Sequence, residues 1–239
     1  MRFGIFIYPG VEPIDLATYG VLSMARRIAP QIEICTIAPD AGLVELANGL
    51  RVIADYGIGQ APACDLVIVT GGPGWSAQAN APATLDYIRG VHASGRIASV
   101  CTGGMILAAS GILDGAPATT KREVVPPEVR PLDVMRATYP GIDVREALLV
   151  DTGAVVTSGG VSLCIDTTLH LLARMLGPDV AAETARILEY DRAWRANRDQ
   201  FAPVIEASAP VRYRAPAEIR LSRLLTQNLQ NPKKIISGG

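Results

Sequence analysis

Cys101 is the residue whose type and setting most clearly suggest chemistry. It follows an apolar run at residues 97–100 and precedes Thr102-Gly103-Gly104, after which another apolar, helix-forming run begins. This order is typical of a strand-to-helix turn that presents a nucleophile. Free N–H groups and the helix dipole at such a turn favour an anionic thiolate. The sequence therefore predicts thiol chemistry at Cys101, with a buried structural cysteine as the alternative.

A reacting thiol needs hydrogen-bond donors for the charge that develops on its substrate. Gly71 and Gly72 directly follow the predicted strand at residues 65–70. We expect the backbone N–H groups of Gly72 and Thr102 to point at one substrate atom, and glycine at 71 and 72 allows a close backbone approach. These residues are therefore candidates for an oxyanion and substrate-binding site, with a simple tight turn as the alternative.

The proton shuttle is expected to be a carboxyl group, because histidine is scarce. His92 and His170 are the two histidines of the chain. His92 is predicted to lie on the surface, and His170, among leucines in a helix, to be a core or half-buried residue with a satisfied hydrogen bond rather than a catalytic one. Asp15, at the start of a helix, is the candidate acid, with Glu12 as a competitor and helix capping as the alternative role. Burial in a partly dry cleft raises the pKa of such a carboxyl group towards neutrality.

The elements that position these residues alternate between strand and helix. Strands are predicted at residues 3–8, 31–38, 65–70, 96–100, 118–120, 146–150 and 154–158, with small peripheral strands within 43–55. Helices are predicted at about 15–29, at 84–93, from the cysteine turn to near 111, at 162–176 and at 180–196. Such alternation predicts a mostly parallel sheet covered on both faces, and the loops carrying Asp15, Gly71, Cys101 and Gly159 should open at its carboxyl edge.

Two further segments are less regular. The stretch at residues 122–135 is rich in proline and charge, and is predicted to be a loop that either covers the site or lies on the surface. From about residue 201 prolines recur and apolar periodicity weakens. We therefore predict one domain at residues 1–200 and a C-terminal extension at 201–239, with one helix at 217–229 that packs on the domain or on a partner subunit.

Composition restricts the classes of partner and compartment. Of the 239 residues 49% are hydrophobic and the net charge is −1, which argues against a nucleic-acid binder and against electrostatic membrane binding. No apolar run is long enough to span a bilayer or to act as a signal peptide, so a cytoplasmic protein is expected. The four cysteines form no CxxC pair, and the glycine loop does not match a nucleotide-binding pattern. We expect reduced thiols, no metal and no cofactor.

The ordered motifs resemble the ThiJ/PfpI family, within the class I glutamine amidotransferase-like superfamily. The segments that carry this resemblance are Gly71-Gly72, Ser99-Val100-Cys101-Thr102-Gly103, Ala118-Thr119-Thr120 and Thr157-Ser158-Gly159-Gly160-Val161-Ser162. Those most similar to isocyanide hydratases, and to the effector domains of AraC-type regulators, are Ile14-Asp15-Leu16, Val100-Cys101-Thr102-Gly103 and Leu188-Glu189-Tyr190-Asp191. The resemblance implies a flavodoxin-like three-layer sandwich, usually a homodimer, with Cys101 on a nucleophile elbow.

The same resemblance implies roles for four residues. Cys101 matches the nucleophile, Asp15 the acid that contacts it, Thr102 a neighbour that helps to hold the site, and Gly72 the backbone donor. Many relatives follow Ala-Thr-Thr with His-Trp, whereas this chain has Lys121-Arg122, which we expect to face solvent rather than to bind an anion. A Cys–His mechanism at that position is therefore excluded.

The expected activity is hydration of a small electrophile, most like that of an isocyanide hydratase. Cys101 attacks the terminal carbon of the isocyanide and forms a thioimidate, and Asp15 shuttles the proton and positions the water that releases a formamide. Alternatives are action on aldehydes such as methylglyoxal, a redox sensor that oxidises Cys101, and a ligand-sensing domain. About forty residues follow the predicted domain and lack helix-turn-helix character, so DNA binding is not expected.

Overall fold

A seven-stranded sheet is the centre of residues 1–201, which are the residues that the computed structural model describes. The strands are β1 (Arg2–Phe6), β2 (Glu33–Ala38), β3 (Gly42–Glu45), β4 (Arg51–Ala54), β5 (Tyr56–Gly57), β6 (Leu66–Val69), β7 (Arg96–Ser99), β8 (Pro117–Ala118), β9 (Asp143–Val144), β10 (Leu149–Asp151) and β11 (Val155–Ser158). The order in the main sheet is β10-β11-β7-β6-β1-β2-β5. Only β10 runs antiparallel to its neighbour in this sheet. β3 with β4, and β8 with β9, form two small sheets.

Helices cover both faces of the main sheet. They are α1 (Ala17–Ala25), α2 (Trp75–Ala79), α3 (Pro82–Ser94), α4 (Gly103–Ser110), α5 (Pro131–Thr138), α6 (Leu163–Leu176), α7 (Pro178–Ile187) and α8 (Asp191–Arg198). α1, α6, α7 and α8 pack together in one layer, and α2 to α5 pack together in the other. This three-layer, mostly parallel α/β sandwich of flavodoxin type confirms the predicted fold class.

Strand register brings the candidate residues to one edge of the sheet. All four residues of β6 and β11, and nearly all of β1 and β7, are buried, as expected for parallel strands that are covered on both faces. Phe6 of β1 pairs with Val69 of β6, which in turn pairs with Ser99 of β7. The three strands therefore end level, and the loops that leave them meet.

Two predicted elements differ from the structure. The predicted helix at residues 180–196 is two helices, α7 and α8, because Glu189 adopts a left-handed backbone conformation with φ of 55°. This break turns the Tyr190 hydroxyl to donate to Asp166 at 2.9 Å and allows Trp194 to be buried. The predicted loop at 122–135 is irregular only as far as Arg130, after which α5 begins with a proline at its first position.

Some predictions fall outside what the structure tests. The predicted helix at 217–229 lies outside the described residues, and the domain boundary near residue 200 stays a prediction. The homodimer and the cytoplasmic location also stay predictions. Within residues 1–201, no helix combines the length and the apolar character needed to cross a membrane.

Candidate active site

Cys101 lies on the turn between β7 and α4, in a strained conformation. Its φ is 54°, in the left-handed region, which costs a residue other than glycine about 1–3 kcal/mol. Hydrogen bonds from neighbouring segments hold this turn: the Cys101 N–H donates to the Gly159 carbonyl at 3.1 Å, and the Thr120 hydroxyl donates to the Cys101 carbonyl at 2.9 Å. The loops after β8 and β11 therefore fix the elbow from the side opposite the glycine loop.

Two glycines allow other loops to approach the thiol closely. A Cβ atom at Gly71 would lie 2.4 Å from the Thr102 nitrogen and 2.7 Å from the Cys101 Cβ. A Cβ atom at Gly160 would lie 2.9 Å from the Cys101 Sγ. Any side chain at either position would displace the elbow or its sulfur, so the glycines shape the site and are not only turn residues.

Asp15 is completely buried, at 0% exposure, in the short 3-10 turn Pro13–Leu16 that precedes α1. Its carboxyl group caps no helix. Instead, Oδ2 accepts a hydrogen bond from the Gly71 N–H at 2.7 Å, whereas the buried Oδ1 has no partner among residues 1–201. Gly71 therefore serves to hold the candidate acid, and one carboxyl oxygen is left free to take up a proton.

The pKa of Asp15 is raised to about 7, chiefly because burial disfavours the charged carboxylate. The negative charge of Glu12 also raises the pKa of Asp15. The Gly71 N–H, the positive charge of Lys121 and the contact with the Cys101 thiol each lower it, but by less than burial raises it. A carboxyl group with this pKa exchanges a proton readily near neutrality.

The pKa of the Cys101 thiol is raised to about 12, and the side chain is 2% exposed. Burial is the main cause and the charge of Asp15 adds to it, whereas the Thr102 N–H and Lys121 act in the opposite direction. The Thr102 N–H at the helix N-terminus favours the thiolate, as the sequence indicated, but burial and the charge of Asp15 outweigh this effect and raise the pKa. The sulfur keeps its proton until a base removes it.

Thr102 and Gly72 bond to each other rather than both facing a substrate. The Gly72 N–H donates to the Thr102 hydroxyl at 2.8 Å, and that hydroxyl donates to the Gly72 carbonyl at 3.2 Å. The prediction that the Gly72 N–H points at the substrate is thus contradicted, because this N–H already donates to the Thr102 hydroxyl. The Thr102 N–H, which lowers the pKa of Cys101, is the donor that lies against the sulfur.

A cavity of about 550 Å³ opens at the elbow and provides room for a small molecule. It is lined by Glu12, Gly72, Pro73, Trp75, Cys101, Thr102, Lys121, Val124, Glu128, Val129, Pro131 and Val161. Its apolar walls come from α2 and from the stretch at 122–131, so that stretch borders the site, in line with one of the two roles predicted for it.

Lys121 is a residue whose position the sequence did not predict. It lines the cavity instead of facing only solvent, and its charge acts on the pKa of both Asp15 and Cys101. The available signal was its place directly after Ala118-Thr119-Thr120, where many relatives carry a histidine. A cation beside the carboxyl group favours the ionised form that accepts a proton.

Neither histidine lines this cavity. His170 lies on α6, and its Nε2 is 2.7 Å from Asp151 Oδ2, which confirms the prediction of a half-buried histidine with a satisfied hydrogen bond. Arg174 donates to the same carboxylate at 2.6 Å. His92 lies in the last turn of α3 and is half-buried, not on the open surface as predicted. Within residues 1–201, no group of three or more histidine, cysteine or acidic side chains could hold a metal ion.

Comparison with known proteins assigns the chain and its fold to a family. The DJ-1/PfpI family profile matches residues 1–174. The isonitrile hydratase of Pseudomonas putida is 29% identical over an alignment of 235 residues that covers 95% of each chain. The HTH-type transcriptional regulator GbdR of Pseudomonas aeruginosa is 29% identical over an alignment of 174 residues that covers 71% of this chain and 44% of the regulator. A ThiJ/PfpI family protein from Pseudomonas syringae has a crystal structure that superposes with a TM-score of 0.68 at 24% identity, covering 87% of this chain and 78% of that one. The chain belongs to the DJ-1/PfpI family.

Proposed function

We propose that this protein is a cysteine-dependent hydratase that converts an isocyanide (isonitrile) and water into an N-substituted formamide. The observation that carries the proposal is the placement of the Cys101 thiol at the cavity wall beside the buried Asp15 carboxyl group, which the Gly71 N–H holds at 2.7 Å and whose charge raises the pKa of the thiol. The similarity to an isonitrile hydratase over 95% of the chain supports the choice of substrate.

The first step adds the thiol across the terminal carbon of the isocyanide. Asp15, in its ionised form, accepts the proton of Cys101 through a carboxyl oxygen while the sulfur forms a bond to that carbon. The carboxyl group then delivers the same proton to the carbon, which becomes the CH of a thioimidate. Because the proton returns to the substrate, Asp15 is ionised again when the step ends.

The second step hydrolyses the thioimidate. Asp15 accepts a proton from an attacking water molecule as its oxygen bonds to the carbon, and the nitrogen takes up that proton. The C–S bond then breaks, and the remaining water proton returns to sulfur, so that the formamide leaves and the thiol is restored. The Thr102 N–H lies against the sulfur and favours its transient negative charge.

The cavity fits a small substrate with an apolar substituent. An isocyanide carries no net charge, and its substituent would lie against walls that include Trp75, Val124 and Val161. Lys121 lines this cavity, and its positive charge favours the ionised form of Asp15 that the first step needs.

The test is formamide production from an aliphatic isocyanide such as cyclohexyl isocyanide, measured by chromatography and mass spectrometry. We expect turnover by the parent protein and by Cys64→Ser, whose thiol lies outside the cavity, and none above background by Cys101→Ala. Rapid quenching should also yield a thioimidate adduct on the peptide that contains Cys101. Equal formamide production by the parent and Cys101→Ala contradicts the proposal.

A second candidate function is ligand sensing without turnover. It is favoured by the similarity to GbdR, which matches this chain over 71% of its length at the same 29% identity. In that case the cavity binds a small molecule while Cys101 forms no adduct. Calorimetry that detects isocyanide binding to both the parent and Cys101→Ala, together with no formamide from either, supports sensing instead of hydration.

A further inference from the structure

Two cysteines far from the cavity lie close together. The Sγ atoms of Cys35, on β2, and Cys64, just before β6, are 3.9 Å apart. Strand register places Cys35 level with Gly4 of β1 and, across the sheet, with Ile97 of β7. Since Ile97 precedes Cys101 by four residues, this thiol pair lies about 13 Å further from the carboxyl edge, measured along the strands.

Gly4 provides the space in which the two sulfurs meet. β1 lies between β2 and β6, so a larger side chain at position 4 of β1 would keep the cysteine side chains on its two sides apart. A Cβ atom at Gly4 would lie 3.0 Å from the Cys64 Sγ. The sulfur of Cys64 therefore packs over bare backbone and reaches towards Cys35 on the adjacent strand.

The two thiols differ in exposure and in charge environment. Cys35 is 7% exposed, whereas Cys64 is half-buried and lines a second cavity of about 260 Å³, together with Tyr87 and Val91. The Arg2 guanidinium donates to the carbonyl of Ala63, the residue next to Cys64, at 3.3 Å. The pKa of Cys64 is lowered by its hydrogen bond with Cys35, and the charge of Arg2 also lowers it. Cys64 is thus the accessible and more acidic thiol of the pair.

We propose that Cys35 and Cys64 are a modification site at which a hydroperoxide drives formation of a disulfide. The Cys64 thiolate attacks the outer peroxide oxygen and the O–O bond breaks, and the leaving oxygen takes up the proton that the thiol had released, so that sulfenic acid and an alcohol or water are produced. The Cys35 thiol then attacks the Cys64 sulfur, the S–O bond breaks, and water leaves with the Cys35 proton. Each sulfur loses one electron, and the peroxide gains two.

The surroundings permit the movement that the bond requires. A disulfide needs a sulfur–sulfur distance of about 2.0 Å, so the two atoms must approach further. Cys35 is held in a strand, but Cys64 lies in the irregular segment between residues 61 and 65. Asp65 is fixed to β1, since its N–H donates to the Arg2 carbonyl at 2.9 Å, so the shift must come from residues 61–64, which precede every strand pair of β6.

The experiment treats the full chain and its Cys101→Ser variant with one equivalent of hydrogen peroxide, blocks free thiols with N-ethylmaleimide and digests with trypsin without reductant. The cleavage sites in the sequence place the four cysteines on four different peptides. We expect peptides 28–51 and 52–89 to be joined, two hydrogens lighter than their sum, in both proteins. The fully buried Cys164 is the internal control: peroxide should leave it reduced, and N-ethylmaleimide should react with it only after the chain is unfolded.

Single variants separate the two steps. In Cys35→Ser we expect Cys64 sulfenic acid, trapped by dimedone, and in Cys64→Ser we expect Cys35 to stay reduced. Arg2→Gln should slow the oxidation at least threefold, whereas Arg2→Lys should retain the parent rate. Oxidation of Cys64 to sulfinic acid without a cross-link, or a cross-link that forms only after unfolding in urea, overturns the proposal. Because Cys101→Ser is included, neither result depends on the hydratase activity.

Discussion

Replacing Asp15 by asparagine separates two effects of one carboxyl group that act on Cys101 in opposite directions. As a charge, Asp15 raises the pKa of the thiol. As a base, it is proposed to accept the thiol proton. Asparagine keeps the size of the side chain and an oxygen that can accept the Gly71 N–H, which donates to Asp15 at 2.7 Å. The variant should therefore contain a more easily ionised thiol and yet turn over more slowly.

The pKa values set the size of both changes. With a thiol pKa of about 12, about one Cys101 in ten thousand is ionised at pH 8. Each pKa unit that Asp15→Asn removes should make alkylation of Cys101 at pH 8 about tenfold faster. Loss of a positioned base should nevertheless lower kcat/KM by about 10²–10⁴, which is about 3–5 kcal/mol of transition-state stabilisation.

The same substitution should also change stability. The folded pKa of Asp15, about 7, lies above its ordinary 3.8, so between these values the folded chain keeps a proton that the unfolded chain has lost. Stability that is present below pH 3.8 is lost as pH rises towards 7, and the loss is about 4 kcal/mol at pH 8. Asparagine does not ionise, so the advantage of the variant over the parent in urea unfolding should grow between pH 4 and pH 8.

Three assays on one protein test this reasoning: formamide kinetics, iodoacetamide alkylation of the Cys101 peptide at pH 8, and urea unfolding. Asp166→Asn is the matched control, because it neutralises another buried carboxyl group whose partners are Tyr190 and Asn197, away from the cavity. Its turnover should equal that of the parent. If Asp15→Asn turns over at the rate of the parent, another group moves the proton. If Cys101 in this variant is alkylated more slowly than in the parent, the carboxyl group promotes ionisation of the thiol instead of opposing it.

Three further variants and one control test the charges and the space around the site. The kcat/KM should rise with pH through about 7 as Asp15 ionises; Glu12→Gln should move that midpoint to lower pH and Lys121→Gln to higher pH, as read from pH–rate profiles. Shifts in the reverse directions would contradict the assigned contacts. Gly160→Ala places a Cβ atom 2.9 Å from the Cys101 Sγ and should lower turnover at least tenfold, whereas Gly90→Ala, which meets nothing within 4 Å on α3, should leave turnover unchanged and add about 0.5–1 kcal/mol of stability.

The meeting of Asp15, Gly71 and Cys101 could be predicted from sequence because it depends on order along the chain. Each residue comes after a short apolar strand, and parallel strands place the loops at their carboxyl ends along one edge of the sheet. The register of β1, β6 and β7 confirms this, since the three strands end level. Local composition and the rules of α/β folds therefore suffice for the position of the site.

The electrostatics of the site could not be predicted in the same way, because they depend on burial by the whole fold. The helix N-terminus beside Cys101 is a local feature that suggests a low pKa, but the loss of solvent and the charge of Asp15 raise the pKa to about 12. The direction of the Gly72 N–H was missed for a similar reason, since the Thr102 hydroxyl that accepts it is thirty residues away. The pairing of Cys35 with Cys64 depends on strands that are not adjacent in the sheet.

The contrast between the two thiol sites bears on the redox-sensor interpretation of Cys101. Peroxides oxidise thiolates, so the order of reaction depends on thiolate character and access. Cys101 is 2% exposed and protonated at neutral pH, with its pKa raised by burial and by Asp15. Cys64 is half-buried, borders its own cavity, and has a lowered pKa because of Cys35 and Arg2. Peroxide should therefore reach Cys64 first, while the thiol at the elbow becomes nucleophilic only when a substrate draws its proton to Asp15.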